Sequence, residues 1–353
     1  MRNPRGSVPP VDAPRRDRYS YPPPQRFPSS LRLAPRRRRI PGVRLKNSYP
    51  LLRKVAKALG IYGPLHRLFI RYLLRNVGVS LASEADRKTL LLTKGDRRIR
   101  VKDWDTAAIA SYSFDDMFGA VQSNGEKLVD YSQPAWHTMV RTGERFYFTA
   151  IADLEVDEFF ATYSVKVGPG GVVYHVGAYC GVQTVEFSRM VGSAGRVVAF
   201  EPDRESFRAL EKNLAEHHAA NVVAVNKGLW SSVTELRFFA TEGMHSSFTN
   251  APSHEKVECV LPVTTADAVA SELQLTRMDL FKIDAEGAEF EILKGATQVL
   301  DTLSPAIFID VHLHTDPQLD RKIDELLTGR GYRVRWLPQT TSSSMAFCYA
   351  EKP

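Results

Sequence analysis

Lys282, Asp284 and Glu286 stand at alternate positions in the run MDLFKIDAEGAEFEILKGA, residues 278 to 296. Alternation puts all three on one face at the end of a strand, and in open α/β sheets ligands sit at the carboxyl ends of strands. Burying three charges side by side is costly unless they serve one another or a ligand. Two readings are open: a structural ion-pair network, or a site that moves protons. The next strand-like run, FIDVH, ends in His312, whose ordinary pKa suits proton transfer near neutral pH. Asp284, Glu286 and His312 are therefore candidate bases, with Lys282 beside them; for His312 and neighbouring His314 a polar loop is the competing reading. A metal on Asp284, Glu286 and His312 would suit hard and borderline ligands, but no spacing demands one, and none is expected.

Nucleotide chemistry is suggested upstream. VVYHVGAYCG, residues 172 to 181, reads as a buried strand, a Gly-x-x-x-Gly turn from Gly177 to Gly181, and a helix from about Val182. Glycines there let backbone pass close to a nucleoside, and the helix start offers N–H groups. Twenty-four positions after Gly177, VVAFEPD ends the next strand in Glu201, a carboxylate placed to accept ribose hydroxyls. Asp203 fits the cap of the following helix, whose Phe207, Leu210 and Leu214 face inward. The run His245-Ser246-Ser247-Phe248 either shapes an acceptor pocket or fills a polar loop.

These residues need a scaffold, and after residue 150 the sequence alternates strand and helix patterns, as a parallel sheet with flanking helices requires. Strands are expected at 172–176, 197–201, 222–226, 278–284 and 306–312, an inserted hairpin at 235–240 and 257–263, and two last strands at 332–336 and 345–349. The fold class is α/β: a Rossmann-like, doubly wound seven-stranded sheet with an antiparallel terminal strand. Residues 48–150 read as amphipathic helices and a small α+β lead-in, with a strand pair from Leu90 to Val101 turning at Gly95-Asp96, a second turn at Asn124-Gly125, and aromatics from Trp136 to Phe148. A domain over 151–353 follows.

The spacing of VGAYCG, FEPDRESF, NKGLWSS and FKIDAEGAEFEILKGA resembles the FkbM family of S-adenosylmethionine-dependent methyltransferases, over roughly residues 150 to 340. The resemblance implies S-adenosylmethionine as cofactor and methyl transfer to an oxygen of a sugar, glycolipid or other small acceptor. It implies that Gly177 to Gly181, with Tyr179 between them, line the methionine end, that Glu201 holds the ribose, that Asn226 lies near the adenine, and that Asp284 sits beside the sulfonium. The chain departs from the family where the first strand usually ends in Asp-x-Gly-Ala-Asn, for it carries His175, Tyr179 and Cys180. Either His175 offers a neutral ring nitrogen to the cofactor's amino group, or affinity is reduced, or activity is lost. A nicotinamide-dependent oxidoreductase is opposed by the missing Gly-x-Gly-x-x-Gly turn and Tyr-x-x-x-Lys pair. A catalytically degenerate module carrying a basic arm to nucleic acid or membrane is the other alternative.

That arm is visible in the charge. The chain's net +7 is concentrated in residues 1–50, where thirteen Arg or Lys face two Asp, and Pro22 to Pro24 and Arg36 to Arg39 leave little apolar surface to bury. Such a segment cannot offset its ordering entropy, and residues 1–47 are expected to be disordered. Past Pro64, Leu65, Leu68, Phe69, Tyr72 and Leu73 share a helix face, with Arg67, Arg71 and Arg75 as a basic stripe. Two readings are open for it: docking on its own domain, or lying on an anionic membrane surface. Nucleic acid is not the expected partner. Cys180, Cys259 and Cys348 suggest neither a disulfide framework nor a zinc site, and no run reaches the roughly 18 apolar residues of a spanning helix. The expected location is cytoplasmic, with peripheral membrane contact as the added reading.

Overall fold

The computed structural model describes residues 62–84, 89–152, 167–240, 247–248, 257–313, 315–337 and 345–353. All belong to one compact unit of the chain. The basic arm, the first amphipathic stretch to Gly60, His245, Ser246 and His314 lie outside the described residues.

The lead-in begins with α1 (Tyr62–Asn76), followed by β1 (Ser80–Ser83), β2 (Leu90–Lys94), β3 (Arg97–Val101), α2 (Trp104–Gly119) and β4 (Leu128–Tyr131). The four strands form one sheet in the order β1-β2-β3-β4, and β5 (Ala135–Thr138) pairs with β6 (Arg145–Phe148) as a hairpin. The expected strand pair is present as β2 and β3, antiparallel with Lys94 opposite Arg97. The docking face of α1 is not the expected one. Ile70 and Leu74 are buried, whereas Leu65, Leu68, Phe69 and Tyr72 are exposed. Arg67 and Arg71 lie toward α2, their guanidinium groups 5.6 and 5.2 Å from the Trp104 ring.

The second half is read off its hydrophobic strands. In chain order it comprises β7 (Val172–Val176), α3 (Val182–Val191), β8 (Arg196–Phe200), α4 (Arg204–Glu216), β9 (Val222–Val225), β10 (Gly228–Leu229), β11 (Thr234–Ala240), β12 (Val257–Thr264) and α5 (Ala266–Glu272). It continues with β13 (Leu280–Asp284), α6 (Glu289–Lys294), a π-helical turn (Val299–Leu303), β14 (Ala306–Val311), α7 (Leu319–Thr328), β15 (Arg333–Leu337) and β16 (Ala346–Glu351). Seven of these strands form one sheet in the order β15-β16-β14-β13-β7-β8-β9. Only β16 runs antiparallel to its neighbours. All five residues of β7 are buried, as a central strand covered on both faces must be. From β7 the chain winds outward to β8 and β9, then returns to β13 on the other side, so the strand order reverses between β7 and β13. That switch point is where such sheets open a crevice for ligands. The inserted hairpin is β11 with β12, paired in register from Thr234 opposite Val263 to Ala240 opposite Val257.

The two halves share a core. Tyr179, Cys180, Val182, Val185 and Ala209 pack in the cluster that holds Phe146, Phe148 and Ile151 of the lead-in. Asn213, fully buried on α4, ties them further: its amide nitrogen donates to the carbonyls of Cys180 (2.6 Å) and Tyr147 (2.9 Å), and its oxygen accepts from the Tyr147 N–H (2.6 Å).

Candidate active site

The switch point between β7 and β13 is bordered first by the glycine turn. Gly177 has φ of 78° and Gly181 φ of 86°, both in the left-handed region that glycine enters without cost. A Cβ on Gly177 would run into the Asp284 carbonyl oxygen, so this glycine lets the ends of β7 and β13 meet. Gly177→Ala should lose about 1–2 kcal/mol from the backbone conformation alone, and more from that collision. A thermal melt of the variant that matched the parent would refute this.

Glu201, just past β8, is buried, and its carboxylate reaches back to the turn. One oxygen accepts from the Tyr179 N–H (2.8 Å) and the other from the Asp203 N–H (2.9 Å). A carboxylate has about four lone-pair sites, so acceptor capacity is left for two hydroxyls. Burial, with the Asp203 charge adding, pushes the Glu201 pKa up to about 8. Asp203 caps α4 as expected, accepting from the N–H groups of Glu205 and Ser206. Asn226 does not project freely; its amide donates to the carbonyls of Glu201 (2.8 Å) and Pro202 (3.2 Å), fixing the ends of β8 and β9 together.

Two residues assigned to the cofactor on family grounds turn their side chains elsewhere. His175 is buried beneath α3, with Nδ1 2.8 Å from the Thr184 hydroxyl. Burial, reinforced by the Lys282 ammonium, drives its pKa down to about 3, so the ring is neutral. Tyr179 sends its ring away from the turn into the lead-in, where the hydroxyl donates to the Ile151 carbonyl (3.0 Å) and accepts from Thr149 (3.3 Å). Its backbone N–H, held at φ of 48°, is what faces Glu201.

The charged run resolves into two groups. Lys282 is a buried ion-pair partner: Nζ donates to Asp310 of β14 at 2.6 Å and lies 4.0 Å from Asp284. Of the two readings open for it, an ion-pair network or a role in moving protons, the ion pair is the contact seen here. The second group surrounds His312. Its Nδ1 is 2.6 Å from Glu289, and its Nε2 lies 3.6 Å from Glu286 and 3.8 Å from Asp284. Burial alone would lower the imidazole pKa, but the charges of Glu286, Glu289 and Asp284 override it and raise it well above the ordinary value. His312 is thus an imidazolium among three carboxylates. Asp284 is the most open of them, its side chain 34% exposed, while that of Glu289 is fully buried. Glu286 stands at φ of 47°, and its carbonyl accepts from the Ser247 hydroxyl (2.8 Å), which ties the inserted segment to the site. Phe248 beside it packs against Trp230 and Phe238.

The structure therefore brings Asp284, Glu286 and His312 together at the end of β13 and β14, beside Gly177, with Glu201 across the turn. Sequence reasoning missed Glu289, Asp310 and Asn213. Asp310 is opposite Asp284 in the β13–β14 register, a relation that only strand pairing reveals. Glu289 lies three residues past Glu286 at the start of α6, inside the quoted run but without a role of its own. Among the described residues no group of three His, Cys, Asp or Glu is arranged to hold a metal ion.

A seven-stranded sheet of this order, with one antiparallel strand, a glycine turn after the central strand and an acid ending the next, is the class I methyltransferase fold. Residues 175–334 match the family model of the methyltransferase FkbM domain. Hexuronic acid methyltransferase AglP of Haloferax volcanii is 24% identical over 151 residues, which cover 42% of this chain and 58% of that protein. AMB antimetabolite synthetase AmbE of Pseudomonas aeruginosa is 24% identical over 277 residues, 66% of this chain and 13% of that protein. The chain therefore spans just over half of the first relative and a small part of the second. A crystal structure of methyltransferase FkbM from Methylobacillus flagellatus KT aligns with a TM-score of 0.39 and 16% identity, over 51% of this chain and 43% of that chain.

Proposed function

We propose that this protein is an S-adenosylmethionine-dependent O-methyltransferase acting on a hydroxyl of a sugar, a glycolipid or another small metabolite. The observation that carries the reading is Glu201: a buried carboxylate, anchored by the N–H of the glycine turn at the switch point, with lone pairs left for a ribose. The likeness to a hexuronic acid methyltransferase supports a sugar acceptor.

The residues fit the cofactor except at His175, which is neutral and bonded under α3 and so offers no charge to a cationic amino group. We assign that contact to Asp284, whose backbone abuts Gly177 and whose side chain is 34% exposed. Bound S-adenosylmethionine supplies a methyl group already electrophilic enough for transfer. The protein's part is to orient the acceptor hydroxyl and receive its proton. His312 is unsuited to that step, because an imidazolium has no lone pair with which to take a proton. Glu286 is the base of this proposal, and His312, itself fixed by Glu289, positions it.

Calorimetric titration of the full chain with S-adenosylmethionine, and methyl transfer to hexuronic acid glycosides and neutral sugars, test the reading; no binding at millimolar cofactor would overturn it. The pH profile tests the base. With His312 charged throughout, kcat/KM should pass pH 6.5, the ordinary imidazole pKa, without an inflection. An inflection there that disappears in His312→Gln would return the role to His312. Stability carries the matching sign: as pH rises past 6.5 the unfolded chain loses the His312 proton while the folded chain keeps it, so stability declines until the folded pKa is reached.

A further inference from the structure

Eleven large apolar side chains are exposed among the described residues, and most stand singly, as such residues do on ordinary soluble surfaces. Four of them gather on α1. Leu65, Leu68, Phe69 and Tyr72 occupy positions i, i+3, i+4 and i+7, and are 42–62% exposed. Helical geometry puts this stripe on the side of α1 opposite Ile70 and Leu74, which are buried in the lead-in core. Along one border run Arg67, Arg71 and Arg75. Arg71 is braced there by a bond to the Leu81 carbonyl (3.2 Å) and, like Arg67, by the Trp104 ring.

The charge of this end of the chain selects the partner. Residues 1–76 contain nineteen Arg or Lys and two Asp, a net +17 in a chain whose net charge is +7, so everything after them is net acidic. A helix that turns a large apolar stripe outward beside arginines, at the cationic end of an otherwise acidic chain, matches an anionic interface with an apolar layer beneath it. We infer that α1 docks on an anionic lipid bilayer, its Leu65, Leu68 and Tyr72 side chains entering the acyl boundary and the arginines of α1 engaging the headgroups. A nucleic acid duplex would use the charge and leave the apolar stripe in water. A second copy of the chain would meet the same positive charge on itself. The docking itself does not depend on the catalytic reading; on that reading, the acceptor would be met at a membrane face.

The test is co-sedimentation of the full chain with vesicles of phosphatidylcholine alone or with about a third phosphatidylserine, at low and high salt, with no cofactor present. Binding to the anionic vesicles is expected, weakened by salt, and reduced at least about tenfold in Leu65→Ser/Leu68→Ser/Tyr72→Ser, since three buried apolar groups are lost. These side chains are exposed, so the variant should keep the parent's melting temperature; Leu68→Asp alone serves if it does not. Undiminished binding by a folded variant, or no binding to anionic vesicles, overturns the inference. So does duplex DNA binding without vesicle binding, or a parent dimer that light scattering shows dissociating in the variant. Methyl transfer to a soluble acceptor should be the same in parent and variant, so failure here is distinct from failure of the catalytic proposal.

Discussion

Above pH 8, where Glu201 is ionised, Glu201→Gln should weaken S-adenosylmethionine binding by about a hundredfold or more, since hydrogen bonds to a charged group contribute about 1.5–3 kcal/mol each and two ribose hydroxyls are involved. The amide is nearly isosteric, but it presents one oxygen to two backbone donors, the N–H groups of Tyr179 and Asp203. One of those would then face an NH2 group in a buried site, costing about 1–3 kcal/mol of stability as well. Because burial raises the Glu201 pKa to about 8, the free protein holds a proton there at neutral pH, and cofactor affinity should strengthen as pH rises through 8. The same shift lowers folding stability between pH 4.5 and 8, where the unfolded chain has lost the proton that the folded chain retains. Glutamine flattens both slopes. Calorimetry across pH 7 to 9 measures the first effect, and an affinity within threefold of the parent would remove Glu201 from the site.

The largest effect on stability is expected from Lys282→Met. It strands the Asp310 carboxylate, buried with its partner, and breaking such a pair costs about 3–5 kcal/mol. The second oxygen of Asp310 has no hydrogen-bond partner among the described residues, so the pair is incompletely satisfied even when intact. Replacing both members with apolar groups, Lys282→Met/Asp310→Leu, should therefore recover most of the loss in urea unfolding. Methyl transfer separates the two readings of the lysine. A folded double variant that still turns over assigns Lys282 to the scaffold, and one that folds as well as the parent but is inactive restores it to the chemistry.

Much of this arrangement was legible in the sequence where local pattern decides it. The Val- and Ile-rich runs of β7, β8, β13 and β14, the reach from Gly177 to Glu201 and the cap at Asp203 each depend on neighbours in the chain, and each formed as expected. What was illegible depends on partners distant in sequence. Helix α2 interleaves three alanines with Trp, Thr, Ser, Tyr and Phe, weaker helix formers, and is kinked at Ser113, so its local pattern is mixed. The docking face of α1 is the one carrying Ile70 and Leu74, which pack in a core built from β2, β3, β4, β6 and α2 that no periodicity within α1 reveals. Lys282 and His312 looked alike as charged groups at strand ends; which became an ion-pair partner and which a caged imidazolium was decided by Asp310 and Glu289. His175 stood where the family resemblance implied a cofactor contact, but Thr184, nine residues on in α3, claimed the ring.

Tyr179 has its backbone in the glycine turn and its ring in the lead-in, outside the segment that resembles the family. Two processes that look separate, ordering residues 146–151 and holding a nucleoside, therefore draw on one side chain and one amide. Whatever free energy the lead-in gives to the turn by fixing Tyr179 and Cys180, a ligand on the turn returns to the lead-in in equal measure, because linkage between two binding equilibria is reciprocal. The segment that matches the family model begins at His175, but the contacts of Tyr179 carry across that boundary to Thr149 and Ile151, so a ligand on the turn would be felt in the lead-in.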